Sequence, residues 1–194
     1  RFEGLLRTTL DGGSAVVEKG IDAFERNGVP VAVGKEFIAR VGQVLDDARF
    51  FVAGRRHRSE VLAFSHAKLR LILSDSNRRL GDTSSRLVAA QEALDIMREL
   101  AKGSPERADY QFTLAAAHSA VGRALSASGR HADATTYLTD ALALAEAELA
   151  KLTDDPPLLQ LSIDIHDAVA RVQLALGGAQ QALATLQEGA DRAE

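Results

Sequence analysis

One segment of the sequence has the residue types of a phosphate-binding loop. It runs from Gly28 to Lys35 and contains two glycines followed by a lysine. A P-loop needs four residues between its glycines and a Ser or Thr after the lysine, whose hydroxyl binds Mg²⁺. Here five residues separate Gly28 from Gly34, Glu36 follows the lysine, and a helical pattern precedes the segment. We interpret it as a helix-to-helix connector, and a nucleotide-binding or enzymatic domain stays as an alternative.

Histidine is the next residue type that could do chemistry, as a metal ligand or a general base. Zinc sites on helices commonly pair histidines at i and i+4, and no two histidines of this chain have that spacing. Two of them are separated by 48 residues, and we predict that both pack between helices with one ring nitrogen hydrogen-bonded. We predict no metal ion and no cofactor. The five histidines are His57, His66, His118, His131 and His166.

Acidic and nucleophilic residues form no recognisable catalytic set. Asp46-Asp47 and Asp154-Asp155 are adjacent pairs, and neighbouring residues on a helix face different ways. No serine lies in a Gly-x-Ser-x-Gly context, the arrangement of the hydrolase nucleophile elbow. We predict that Asp154-Asp155 caps a helix and that the chain is not an enzyme.

Charge is unevenly distributed along the chain. Residues 1–97 carry 15 basic and 13 acidic side chains, whereas residues 98–194 carry 8 and 14, so the net charges are +2 and −6. Neither half has the concentrated positive face that nucleic acid requires. The densest basic run, Arg55-Arg56-His57-Arg58, is interpreted as a solvated turn, with a docking patch for an acidic partner as the alternative.

Composition places the chain among folded helical proteins. It is 46% hydrophobic with few aromatics and only four prolines, which favours helices packed closely through Ala and Leu. No cysteine is present, which excludes disulfides and cysteine metal sites and fits the reducing cytoplasm. No apolar run reaches the length of about 18–20 residues that a membrane helix needs, so we expect no membrane association. We interpret the chain as a fragment of a longer protein.

The elements are organised by three glycines, Gly81, Gly129 and Gly177, spaced 48 residues apart. Each follows one amphipathic segment and precedes another, which predicts helical hairpins ended by a left-handed glycine. Around Gly129 the apolar pattern is clearest, and Val121 and Leu138 are predicted core residues. The Gly81 segment is looser, because Arg86 stands where the other segments have alanine.

The N-terminal part lies outside this period. We predict a helix over 14–27, an extended connector over 29–33, a helix over 35–52 and another over 58–80. The predicted domains are a divergent capping region at 1–60 and three hairpins at about 61–102, 106–152 and 156–194. The linkers predict helix starts, with Ser104 as a cap before Pro105 and an acidic cap before Pro156.

The repeat resembles the tetratricopeptide repeat over roughly residues 62–194. The matching residues are Val121-Gly122, Leu125, Gly129, Ala134, Leu138 and Ala141-Leu142. The usual period is 34 residues, so a period of 48 implies helices lengthened by about two turns each, and most of the aromatics of the pattern are replaced. The resemblance implies an all-α, right-handed solenoid of about eight antiparallel helices. Degenerate arrays of this kind resemble those of large bacterial signalling or defence proteins.

The resemblance also implies a protein–protein interaction scaffold. The expected partner is a peptide or another domain of the parent chain, bound in a concave groove, and the alternative is an oligomerisation module that self-associates. Arg123 and Arg171 recur by the repeat and are suited to carboxylates, although they could instead pair with acidic neighbours across the groove. The chain lacks the Asn set of the clamp for chaperone tails, so that ligand is not expected. The groove residues are Lys68, Asp75, Arg78, Arg79, Ser119, Arg123, Asp167 and Arg171.

Overall fold

The computed structural model describes residues 2–53, 60–152 and 155–192, and all regular structure in them is helical. The predicted all-α fold class is therefore confirmed, and the eight helices match the expected number. They are α1 (Phe2–Arg26), α2 (Val31–Ala53), α3 (Glu60–Arg79), α4 (Thr83–Gly103), α5 (Ala108–Ala127), α6 (His131–Leu149), α7 (Pro156–Ala175) and α8 (Ala179–Asp191).

The chain forms two compact units, Arg1–Ile96 and Met97–Glu194, with the division inside α4. In the first unit α1 packs on α3, and α2 contacts both of them. In the second unit α5 packs on α6, α6 on α7 and α7 on α8, while α5 also reaches α7. Contacts between successive and next-but-one helices are compatible with a helical repeat. The predicted capping region and hairpin boundaries remain predictions.

Four glycines end the first helix of each helix pair in the same way. Gly28, Gly81, Gly129 and Gly177 have φ between +64° and +86°, the left-handed region. In each case the amide after the glycine donates to the carbonyl of the residue four positions before it, at 2.8–3.0 Å. This is the Schellman motif, which satisfies carbonyls at the helix end. Three of these turns were predicted from spacing, and Gly28 adds a fourth.

We expect Gly129→Ala to lower the free energy of unfolding by about 1–2 kcal/mol, because a Cβ disfavours the left-handed conformation. The φ of Gly129 is +78°, and no atom lies within 4 Å of a Cβ built there, so backbone strain alone is tested. Gly103→Ala is the control: Gly103 also faces open space but does not have a positive φ. Urea unfolding that gives both variants the same stability would contradict this role for Gly129.

The same face of the first helix is buried in all four pairs. Eleven residues before each turn glycine stand Val17, Arg70, His118 and His166, each at most 6% exposed. Seven residues before each turn glycine, on the same side of the helix, stand four more buried residues, Ile21, Ser74, Gly122 and Ala170. The N-terminal pair thus shares this register, although its turn glycine lies 53 residues before Gly81 instead of 48.

Two parts of the N-terminal prediction are wrong. The extended connector predicted over 29–33 is mostly helix, since α2 begins at Val31. Pro30 explains the difference, because its fixed φ is suited to a helix start, and its carbonyl accepts from the Val33 amide at 2.9 Å. The predicted start of the first helix at residue 14 is also wrong, since α1 begins at Phe2.

Each unit has its own apolar core. In the first, Val17 and Ile21 of α1 meet Ile38 of α2, Leu69 and Leu73 of α3, and Ala89 of α4. In the second, Ala115, Ala141 and Ala145 lie with Leu158 and Ile165. The predicted core residues Val121 and Leu138 are 1% and 0% exposed. Ala-rich surfaces bring the helices close together, as the composition predicts.

The two predicted helix starts have different outcomes. Asp155 caps α7 through a hydrogen bond from the Leu158 amide to its carboxylate at 3.0 Å, and Pro156 is the first helical residue, so the acidic cap is confirmed. The Ser104 cap is wrong. Ser104 to Arg107 form a turn instead, closed by the Arg107 amide on the Ser104 carbonyl at 3.2 Å, and α5 begins at Ala108.

Candidate functional site

Four of the predicted groove residues lie on α3 of the first unit. Lys68 is exposed, with its Nζ 5.7 Å from the centroid of the Phe64 ring. Asp75 and Arg78 are exposed and form an ion pair of 2.7 Å along the helix. Both charges are therefore on the surface but partly neutralise each other, so Lys68 is the exposed cation of this set without a carboxylate partner among the described residues.

Arg79 is engaged in the packing of the first unit. Its guanidinium pairs with Glu25 and, at 2.7 Å, with Asp22, both on α1. The Arg79 side chain retains 23% exposure, and hydrogen bonds to these carboxylates raise the pKa of Arg79 above its usual value. The same contact lowers the pKa of Glu25, since Arg79 donates to its carboxylate. Arg79 thus holds α3 against α1.

The other four predicted groove residues lie in the second unit. Ser119 is only 3% exposed, so the expectation that it faces solvent is wrong; its short side chain does not extend beyond the packed surface of α5. Arg123 is half-buried and has no ion pair with a described residue. Arg171 is exposed and pairs with Asp167 one turn earlier on the same helix, α7, at 2.9 Å, whereas the alternative placed its acidic partner across the groove.

Arg123 and Arg171 occupy the same place, six residues before the turn glycine, on α5 and α7. These two helices contact each other. The second unit therefore presents repeated arginines on neighbouring helices, which could contact carboxylates of one bound segment.

The two repeated histidines are buried as predicted, and the predicted hydrogen bond is present at the Nδ1 of His166 but not at the Nδ1 of His118. The Nδ1 of His166 lies 2.8 Å from the Ser162 carbonyl oxygen, while its Nε2 is buried without a hydrogen bond to a described residue. His118 lies with its Nδ1 3.6 Å from the Asp140 carboxylate and its ring 6.0 Å from that of Tyr137. No group of three metal-ligating side chains occurs within the described residues. Both histidines contribute to interhelical packing.

Burial lowers the pKa of His118, the nearby Arg98 charge lowers it further, and Asp140 opposes the shift. The unfolded chain, with a histidine pKa near 6.5, therefore binds the proton more readily than the folded chain. We expect the neutral His118 ring to make its full contribution to the free energy of unfolding above about pH 6.5. This contribution should decrease as the pH falls from there towards the lowered pKa. Urea unfolding between about pH 7.5 and 5 measures this dependence.

His118→Gln should flatten the slope of unfolding free energy against pH in that range, because the titrating group is gone. His131→Gln is the matched control, since His131 stands at the start of α6 and is partly exposed. A slope that His131→Gln removes and His118→Gln retains would contradict the assignment to the buried ring.

The segment that resembles a phosphate-binding loop is a turn followed by helix. Lys35 is exposed in the second turn of α2, and α1 precedes the turn. Gly34 is buried, and a Cβ there would lie 2.8 Å from Leu80 Cδ2. The glycine therefore permits close approach between α2 and the end of α3, which supports the connector interpretation. The basic run at 55–58 lies outside the described residues.

No protein-family model matches this sequence, and no curated protein matches it. None of the helices in the described ranges combines the length and the apolar character needed to cross a bilayer.

Two cavities in the described residues are small. One of about 220 Å³ is lined in part by Lys35 and Asn77, and one of about 280 Å³ in part by Phe112 and Leu158. Pockets for small ligands usually measure about 300–1,000 Å³.

Two features of the structure were missed in the sequence. Arg70 is a buried cation held by carboxylates of two other helices, and the i, i+4 pattern does not distinguish it from a surface arginine. Four exposed leucines lie in the last helical hairpin of the second unit, at 174, 176, 183 and 186. Comparing the two hairpins of this unit position by position could have found them, since three of the four are polar in the preceding hairpin.

Proposed function

We propose that the chain is a protein-interaction scaffold similar to tetratricopeptide arrays, a right-handed solenoid that binds a peptide or another domain through the face of its first helices. The observation that carries the proposal is the four-fold recurrence of one helix–turn–helix segment, with the same left-handed glycine turn and the same two buried positions on its first helix. Stacked helical pairs offer extended surfaces rather than enclosed pockets. A cytoplasmic location and a place in a larger signalling protein belong to the same proposal.

The ligand of this face is proposed to carry carboxylates. Arg123 and Arg171 lie on neighbouring helices of the second unit, and arginine forms bidentate hydrogen bonds with carboxylates. Arg171 is already paired with Asp167, but both side chains are on the surface, with 74% and 40% exposure. Exposed pairs of this kind are worth little, so a partner's carboxylate can displace Asp167.

The test is selection from a random-peptide library on the wild-type chain, followed by affinity measurements with the selected peptides. Arg123→Glu and Arg171→Glu should each weaken binding at least tenfold, and the selected peptides should be rich in Asp and Glu. Arg130→Glu is the control, because Arg130 lies at the turn before α6 and is exposed. Binding that survives both groove variants would place the interaction on another face.

An oligomerisation module is the second candidate function. The four exposed leucines of the last hairpin favour it, because burial against a second copy would remove their apolar surface from water.

A further inference from the structure

The first unit contains a cavity between three helices. Its volume is about 220 Å³, and its lining comes from α2, from α3 and from the segment that starts α4. We call it the first-unit cavity. The lining combines apolar side chains with charged, hydroxyl and amide groups, which is the composition of a site for a small polar molecule.

The polar groups gather at one end of this cavity. Lys35 lies in the second turn of α2, Asn77 in the last turn of α3 and Asp82 just before α4. These helix ends are close together, because Gly34 packs on Leu80 and the Asp82 amide donates to the Asn77 carbonyl at 2.9 Å. One turn further along each helix the lining is apolar, with Ile38, Leu73 and Val88. The cavity therefore has a polar end and an apolar middle.

Asn77 is a buried amide without a hydrogen-bond partner. It is 5% exposed, and its side chain makes no hydrogen bond to a residue within the described ranges. An unpaired buried amide destabilises a folded chain. Because Asn77 lines the cavity, its donor and acceptor are available to a molecule that enters there.

The other helix–turn–helix segments provide an internal comparison for Asn77. Four residues before the turn glycine, where Asn77 stands, they have Phe24, Leu125 and Gln173. Leu125 is 3% exposed, and Gln173 accepts a hydrogen bond from the Thr185 hydroxyl at 3.0 Å. The same turn therefore forms with a buried apolar residue or with a satisfied amide, so the fold does not need an unsatisfied amide at this position.

The polar end also carries a cation and a carboxylate that are not in direct contact. Lys35 forms no ion pair with any residue that the structure describes. Asp82 accepts hydrogen bonds from the Ser85 amide and the Ser85 hydroxyl, both at 3.0 Å. The bond from the amide lowers the pKa of Asp82, burial opposes the shift, and the charge of Lys35 nearby lowers it further. The carboxylate is therefore ionised at neutral pH.

Arg70 adds no free charge to the cavity that it helps to line. Its guanidinium pairs with Asp46 and lies 3.0 Å from Glu92 Oε2, so two carboxylates neutralise it. The charges left for a ligand are those of Lys35 and Asp82, which balance. A plain anion such as phosphate meets the Asp82 carboxylate, and a plain cation meets Lys35, whereas a molecule that carries both charges is complementary to the two.

The volume and the apolar middle define the rest of the ligand. At about 30 Å³ per molecule the cavity holds roughly seven waters, which restricts the ligand to on the order of ten non-hydrogen atoms. We propose that the first-unit cavity binds a free α-amino acid with a short aliphatic side chain, such as valine. Its carboxylate contacts Lys35, its ammonium contacts Asp82, and the Asn77 amide hydrogen-bonds to the same polar end. This inference does not rest on the proposed protein-binding face.

Isothermal titration calorimetry of the full chain with L-valine tests the proposal. The dissociation constant should be on the order of 0.1–1 mM for a ligand of this size. Valinamide lacks the carboxylate and N-acetylvaline lacks the ammonium, so each should bind more weakly by about tenfold or more. Inorganic phosphate at the same concentration should not displace valine.

Three variants distinguish a ligand site from a structural role. Asn77→Leu introduces the residue of position 125; it should abolish valine binding and leave the thermal midpoint of the free chain unchanged or higher, because it removes an unsatisfied amide. Lys35→Gln leaves the buried lining intact and should weaken binding by about tenfold. Lys68→Gln is the matched control, since Lys68 is an exposed lysine of the same unit outside the cavity, and it should bind valine as the wild type does.

A wild-type chain that does not bind valine overturns the proposal. So does binding that survives Lys35→Gln, or that Lys68→Gln weakens equally, and so does an Asn77→Leu chain that folds with a lower thermal midpoint and still binds valine. Phosphate or N-acetylvaline that binds as tightly as valine would indicate a simple anion site and also counts against it. If Asn77→Leu does not fold, the result for Lys35→Gln decides. Arg123→Glu, which tests the groove, should leave the affinity for valine unchanged, so the two proposals fail separately.

Discussion

Replacing Leu138 by alanine is expected to lower the free energy of unfolding by about 2–5 kcal/mol, because the change removes a fully buried side chain and leaves a cavity. Leu138 is 0% exposed and inserts against Gly122 of the partner helix. The rigid contact with Gly122 limits how far α5 and α6 can collapse into the gap. Urea unfolding followed by circular dichroism measures the change.

Leu186→Ala is the matched control, since Leu186 occupies the equivalent place 48 residues later and is 43% exposed. Its loss should cost less than about 1 kcal/mol, measured at a concentration where the chain is monomeric. Equal costs for the two leucines would contradict the close contact at Gly122. Gly122→Ala changes the other partner of this contact. The added Cβ should lower the free energy of unfolding by about 1–3 kcal/mol through overpacking against Leu138.

Removing both carboxylates that face Arg70 should be the second large effect. Arg70 is 5% exposed on α3, and its guanidinium pairs with Asp46 of α2. Glu92 Oε2 of α4 lies 3.0 Å from Nη1, a distance typical of an ion pair, although without hydrogen-bond geometry. The double variant Asp46→Asn, Glu92→Gln leaves a buried positive charge uncompensated. We expect a loss of about 3–5 kcal/mol in unfolding free energy.

Adding Arg70→Met to that double variant should restore most of the stability, because a buried ion pair and an apolar group of similar volume are often equivalent. A thermodynamic cycle over the single, double and triple variants separates the charge interaction from packing. A triple variant no more stable than the double variant would show that Arg70 contributes packing alone. Arg40 and Glu36 form an exposed pair on α2, and Glu36→Gln provides a control with an expected effect below about 1 kcal/mol.

The helical hairpins were predictable where glycine and apolar spacing agree. Gly129 follows an amphipathic segment and stands where only a residue tolerant of positive φ is comfortable, so one position determines both the end of α5 and the start of α6. Leu138 and Val121 were predictable as core residues for the same reason. These features depend on residues that are close together in the sequence, so one sequence is enough to predict them.

Other features depend on which neighbour a residue meets. Val31 and Val33 favour extended structure by β-branching, but Pro30 and the packing of Gly34 on Leu80 place them in a helix. The burial of Ser119 and the pairing of Arg79 with α1 are tertiary contacts that no local pattern indicates. For the same reason only part of the candidate groove could be predicted, and whether its arginines bind a partner remains a prediction.

The recurrent Schellman turns have a consequence for how the chain acquires its structure. In the second unit two of these turns join helices that pack on each other, α5 with α6 and α7 with α8. Contacts of low sequence separation cost little loop-closure entropy and are associated with fast folding. The contacts within such a pair are therefore expected to form earlier in folding than the contacts that join it to the next pair.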